Sequence, residues 1–198
     1  MRRYKIILYF LVFNFLCATA AFGLIDNWYH YEQGMRMISA KNYNQALREF
    51  TYYLDHPDIH RHMFGVAYFG RALMFQFQDK KNYQQAIDEF KLAIQNDLHP
   101  TVKITDQAYI NIGTIYMERK DYQGAIKAYA SAVESNNRNG FAHYYLGLSY
   151  LRAGEYEKAE KESEAAKKIG ITFTALSDEL SKIRNNDTDN TTKTDKAN

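Results

Sequence analysis

The sequence predicts an all-α chain built from a repeated helical unit, and three observations carry that expectation. Residues 110–125, INIGTIYMERKDYQGA, and residues 144–159, YYLGLSYLRAGEYEKA, align with Gly113 on Gly147, Tyr116 on Tyr150, Tyr122 on Tyr156 and Ala125 on Ala159. The same frame recurs upstream: YEQGMRMISAKNYNQA at 31–46 carries Gly34, Met37, Tyr43 and Ala46, and NYQQAIDEF at 82–90 matches NYNQALREF at 42–50. Finally, the 198 residues include only two prolines and ten glycines, which favours long helices over turn-rich β structure. With 46% apolar residues the chain can build a sizeable core, and its length suits one domain.

The chain opens MRRYKIILYFLVFNFLCATAAFG, with Arg2, Arg3 and Lys5 ahead of an apolar run from Ile6 to Leu16 and then Ala18-Thr19-Ala20. This is the layout of a secretory signal peptide, residues 1–20, cleaved after Ala20. It predicts an exported protein of the periplasm or cell envelope. The alternative is an uncleaved membrane anchor over residues 6–25, since about twenty apolar residues span a bilayer. Leu16 is too bulky for a lipoprotein signal at Cys17, the only cysteine. A cleaved chain therefore forms no disulfide. The formal net charge is +2, but residues 1–20 hold three of the 25 bases and no acid. Without them the chain is near neutral and has no global bias toward nucleic acid or anionic lipid.

From residue 27 to 170 the chain divides into four units, at about 27–58, 63–100, 106–139 and 140–171. A unit with a small residue in its first helix, Asp/Asn-Tyr at the turn and alanine after it resembles the tetratricopeptide repeat (TPR). The resemblance implies a right-handed superhelical α-solenoid of about four helix pairs. Gly34, Gly70, Gly113 and Gly147, with Ala46, Ala86, Ala125 and Ala159, are its repeat-packing residues. They let the helices approach closely, and Phe50, Phe90 or Tyr129 fills the volume beside them. Ala93, Ala132 and Ala166 repeat a later small position.

Departures from the frame are informative. Tyr53 stands at the late-alanine position of the first unit, and Ser163 stands where the fourth unit should carry its large aromatic. Gly70 lies one helical turn further from Ala86 than the other glycines lie from their alanines. MFQFQDKK, 74–81, is therefore read as a lengthened first helix or a protruding turn. Phe173, Leu176, Leu180 and Ile183 recur at helical spacing, and residues 173–185 are expected to form the capping helix that terminal repeats need. The polar residues 186–198 read as a disordered tail.

No catalytic constellation is found: nucleophile elbow, phosphate loop and dinucleotide fingerprint are absent from the sequence, and no cofactor is implied. HPDIHRH, 56–62, offers His56, His60 and His62 as a metal candidate, but Pro57 interrupts it and no further ligand motif completes a site; it reads as a polar loop. His143 reads as a surface or groove residue. EYEKAEKESEAAKK, 155–168, reads as a solvated helix face with i,i+4 ion pairs.

The TPR resemblance implies a concave binding face built from the first helix of each unit. Transferred residue by residue, the groove candidates are Trp28, Tyr31, Met35 and Ile38; then Phe64, Tyr68, Arg71 and Phe75. Gln107, Ile110, Asn111, Thr114 and Met117 follow in the third unit, and Phe141, Tyr144, Tyr145, Leu148 and Arg152 in the fourth. A carboxylate-clamping subfamily needs Lys, Asn and Arg here, and only Asn111 fits. The implied function is a non-catalytic scaffold binding a protein or peptide segment in an aromatic groove, touching membrane only through the N-terminal segment if that is uncleaved. The alternative is a self-associating structural subunit, a homo-oligomer of an envelope or secretion assembly.

Overall fold

The computed structural model describes residues 28–99, 101–171 and 174–183, and among these every regular element is helical. The signal segment (1–20), the alternative anchor (6–25), the tail (186–198) and Phe173 lie outside the described residues. No described helix is long and apolar enough to cross a membrane. The elements are α1 (28–39), α2 (Tyr43–Asp55), the short α3 (Pro57–His60), α4 (Phe64–Gln78), α5 (Tyr83–Gln95), α6 (Thr105–Glu118), α7 (Tyr122–Ser135), α8 (Gly140–Arg152), α9 (Tyr156–Ile169) and α10 (175–183). They fall into two compact bodies, Met1–Val102 and Lys103–Asn198.

The turn inside a unit is set by one motif. Lys41 (φ 57°), Lys120 (φ 60°) and Gly154 (φ 80°) are left-handed. The next residue in each case, Asn42, Asp121 or Glu155, donates its N–H to the carbonyl of Met37, Tyr116 or Tyr150. This is the Schellman closure of a helix C-terminus. Asn42 and Asp121 then cap α2 and α7, accepting from the N–H of Gln45 and Gly124. Two of the three left-handed positions are lysines, where a side chain costs about 1–2 kcal/mol. Lys120→Gly is accordingly expected to raise the unfolding free energy by about 1 kcal/mol, read as a higher urea midpoint with unchanged slope.

Close approach explains the repeated small residues. A Cβ at Gly34 would lie 2.5 Å from the Phe50 ring, and one at Gly113 2.7 Å from the Tyr129 ring. Phe50, Phe90 and Tyr129 are all essentially sealed, as are Ala46, Ala86, Ala125 and Ala159.

The second unit corrects the sequence frame. In register with Gly34, Gly113 and Gly147, counted back from Tyr43, Tyr122 and Tyr156, α5 pairs with Met74, which is 2% exposed. Gly70 sits one turn earlier and packs backward, against the Phe50 ring of the preceding unit. The extra turn thus lies at the start of α4, around Phe64–Ala67, rather than within 74–81. At the other end α4 simply runs to Gln78, and a single 3-10 turn, Lys80–Asn82, joins it to α5. Asp79 caps that turn by accepting from the Lys81 N–H at 3.1 Å.

Candidate partner-binding faces

In the first body, α4 carries Phe64, Tyr68, Arg71 and Phe75 at successive turns of one face, all half-buried. In the corrected register Tyr68, Arg71 and Phe75 fall on groove offsets, while Phe64 lies a turn beyond them. The Arg71 guanidinium stands 5.7 Å from the centre of the Tyr68 ring, a cation–π distance. It also donates to Glu89 of α5 at 2.6 Å. Arg71 is therefore engaged within its own unit rather than open to a partner's acid. The Glu89 side chain is 9% exposed, and burial pushes its carboxyl above the ordinary range while Arg71 pulls it back.

On α1, Trp28 meets Tyr31 edge-on at 5.6 Å and His99 at the same distance. The Tyr31 backbone N–H donates to the Tyr53 hydroxyl at 3.0 Å, and burial raises the Tyr31 hydroxyl pKa. Trp28 and Tyr31 pack against the cluster of Tyr53, Met63, Val66 and Ala67. Tyr53 thus fills the place of the late alanine and supplies a hydroxyl besides. Met35 is half-buried, and Ile38, at 8% exposure, belongs to the core.

In the second body the groove candidates divide. Ile110, 5% exposed, is a core residue beside Tyr129 and Leu146 and is removed from the groove set. Thr114 donates to the Ile110 carbonyl and shares a 3.1 Å hydrogen bond with the Tyr129 hydroxyl, whose pKa burial pushes up to about 12. Tyr145 stacks on Tyr129 at 5.6 Å. Asn111 donates its amide to the Gln107 carbonyl, Gln107 is exposed, and Met117 receives the Ser149 hydroxyl. Phe141 is 47% exposed.

Tyr144, Leu148 and Arg152 face α10 instead of an open groove. Tyr144 and Leu148 pack against Leu151, Ala159, Leu176 and Leu180, and Arg152 holds Glu179 of α10 through two hydrogen bonds of 2.6 and 3.4 Å. The cause is the missing aromatic at Ser163: Leu176 enters from α10, and a Cβ at Gly147 would meet it at 2.8 Å.

Sequence reasoning missed a repeated cross-helix pair. Glu49, Glu89 and Glu162 share one register position in α2, α5 and α9. His30 Nδ1 lies 2.8 Å from Glu49, Arg71 2.6 Å from Glu89, and His143 Nδ1 2.6 Å from Glu162. The third unit has Ala128 there, 7% exposed. Glu162, 16% exposed, is thus not part of a solvated face, and His143 is tied inside its unit. The common register of the three glutamates was the available signal.

The HPDIHRH histidines diverge. His56 Nδ1 approaches the Tyr52 carbonyl at 2.8 Å, His60 is buried against Tyr52 and Tyr53, and His62 faces His99. Among the described residues no three His, Cys, Asp or Glu side chains are grouped to hold a metal ion.

The family profile described as tetratricopeptide repeat matches residues 110–170. A TPR repeat-containing protein of Methanocaldococcus jannaschii is 26% identical over 144 residues, covering 72% of this chain and 23% of that protein. The anaphase-promoting complex subunit CDC16 of Saccharomyces cerevisiae is 28% identical over 130 residues, 64% of this chain and 14% of that one. The chain thus spans less than a quarter of either curated relative. The solved structure of MamA 41-end from Desulfovibrio magneticus RS-1 superposes with a TM-score of 0.61 at 17% identity, covering 84% of this chain and 88% of that one. At that identity the likeness shows the fold alone.

Proposed function

We propose that this tetratricopeptide-repeat protein is a non-catalytic scaffold, exported to the cell envelope, that binds a protein segment on the first-helix faces of its repeats. The observation that carries the reading is the half-buried stripe Phe64, Tyr68, Phe75 along α4. Aromatic side chains cover large area at low entropic cost, and a spaced row of them suits a segment with apolar residues at intervals. Export rests on the layout of residues 1–20 alone, and N-terminal sequencing of the native protein tests it.

Binding is tested by selecting peptides from a displayed library on the chain lacking residues 1–20, then measuring affinity and melting together. Tyr68→Ala and Phe75→Ala are each expected to weaken the selected peptide by about 2 kcal/mol, roughly thirtyfold, with cooperative unfolding retained. Unchanged affinity in both variants would remove α4 as the binding face. Self-association is the second reading, favoured by the exposed aromatic side chains of Phe77 and Phe141. It calls for a mass that rises with concentration.

A further inference from the structure

We propose that the α8–α9 surface under α10 is a helix-accepting site that α10 fills in cis, and that its partner is an amphipathic helix with the α10 pattern. That pattern is an apolar residue at the Leu176 position, leucine at 180, isoleucine at 183 and a carboxylate at 179. This goes beyond the groove reading and does not rest on it.

The seat is defined by what the fourth repeat lacks. Phe50 and Tyr129 close against the glycines of their first helices; Ser163 holds that register in α9 and cannot fill it. Leu176, 1% exposed, is inserted from α10. Beside this seat, an open cleft of about 320 Å³ runs between α9 and α10, lined by Tyr144, Ser163, Ala166 and Ser177 among others. At the other end, Arg152 donates to a carboxylate, now that of Glu179.

α10 is a minimal occupant. Nine residues are too few for a helix that is stable by itself. Only Leu176 and Leu180 are fully buried, with Ile183 half-buried. The Ser177 and Ser181 hydroxyls bond the Thr174 and Ser177 carbonyls of their own turn, a habit that weakens helices. A longer helix of the same apolar register would bury more of this seam and keep the contact to Arg152.

The test uses a labelled peptide of the 174–183 sequence and a second carrying Leu176→Ser and Leu180→Ser. Both are titrated against the wild-type chain, a Glu179→Lys chain and a Leu176→Ser/Leu180→Ser chain. The doubly substituted chain is expected to bind the 174–183 peptide at least tenfold more tightly than wild type, Glu179→Lys to fall between, and the serine peptide to bind least. Equal or absent binding in a variant that still melts cooperatively overturns the proposal. If the double variant loses its melting transition, Glu179→Lys decides by the same criterion, and loss of folding in both makes α10 inseparable from the fold and ends the proposal. A wild-type mass that doubles with concentration, and reverts in the double variant, would assign the seat to α10 of a second copy instead. Since α4 takes no part, failure here leaves the library experiment unaffected.

Discussion

Phe50→Ala is expected to destabilise the first body by about 3–5 kcal/mol, at the upper end for loss of a buried aromatic. Phe50 is fully buried, and its ring touches two glycines on different helices, Gly34 of α1 and Gly70 of α4. Neither glycine can extend a side chain into the space left by the ring, so the cavity persists. Three helices lose their shared filler together, whereas Tyr129 closes against Gly113 within its own pair. Leu92→Ala on the outer face of α5, 37% exposed, is the control and should change stability by less than about 0.5 kcal/mol. Chemical denaturation measures both. A Phe50→Ala cost below about 1 kcal/mol would mean that α1 and α4 do not converge on this ring.

The small and large residues of the repeat were legible because they interlock at fixed spacing: Gly113 with Tyr129 needs only the sequence and the helical period. Met74 was not legible. Nothing in a row of apolar residues says that a methionine occupies the glycine register, and Gly70 next to it supplied a false match. The groove set blurred for a related reason. Ile110 and Asn111 are adjacent in sequence, yet one is core and the other half-open, because the boundary of a helix face falls between them. Tyr144, Leu148 and Arg152 depended on a contact from another element: Ser163 was recognised as a gap, but that α10 enters it through Leu176 requires coordinates. Glu49, Glu89 and Glu162 each look like ordinary surface acids until the three registers are laid together.

Arg71→Met is expected to lower stability at pH 7 by about 3 kcal/mol, because removing one partner of a buried pair leaves an uncompensated charge. The charge left is that of Glu89, 9% exposed. Burial already raises its carboxyl pKa above the ordinary value, and Arg71 is the main influence pulling it down. Without Arg71 the folded-state pKa climbs further. A carboxyl whose pKa is raised on folding favours the folded chain while protonated, and that advantage is lost as pH rises through the folded pKa. The deficit of Arg71→Met should therefore be small below the unfolded carboxyl pKa and grow toward neutrality. Arg71→Met/Glu89→Met removes both charges and should recover most of the loss, since well-packed apolar replacements of a buried pair are often neutral or stabilising. Denaturation of the three chains from about pH 4 to 8 decides it. A single-variant deficit that does not change with pH would mean that Glu89 reaches solvent once Arg71 is gone.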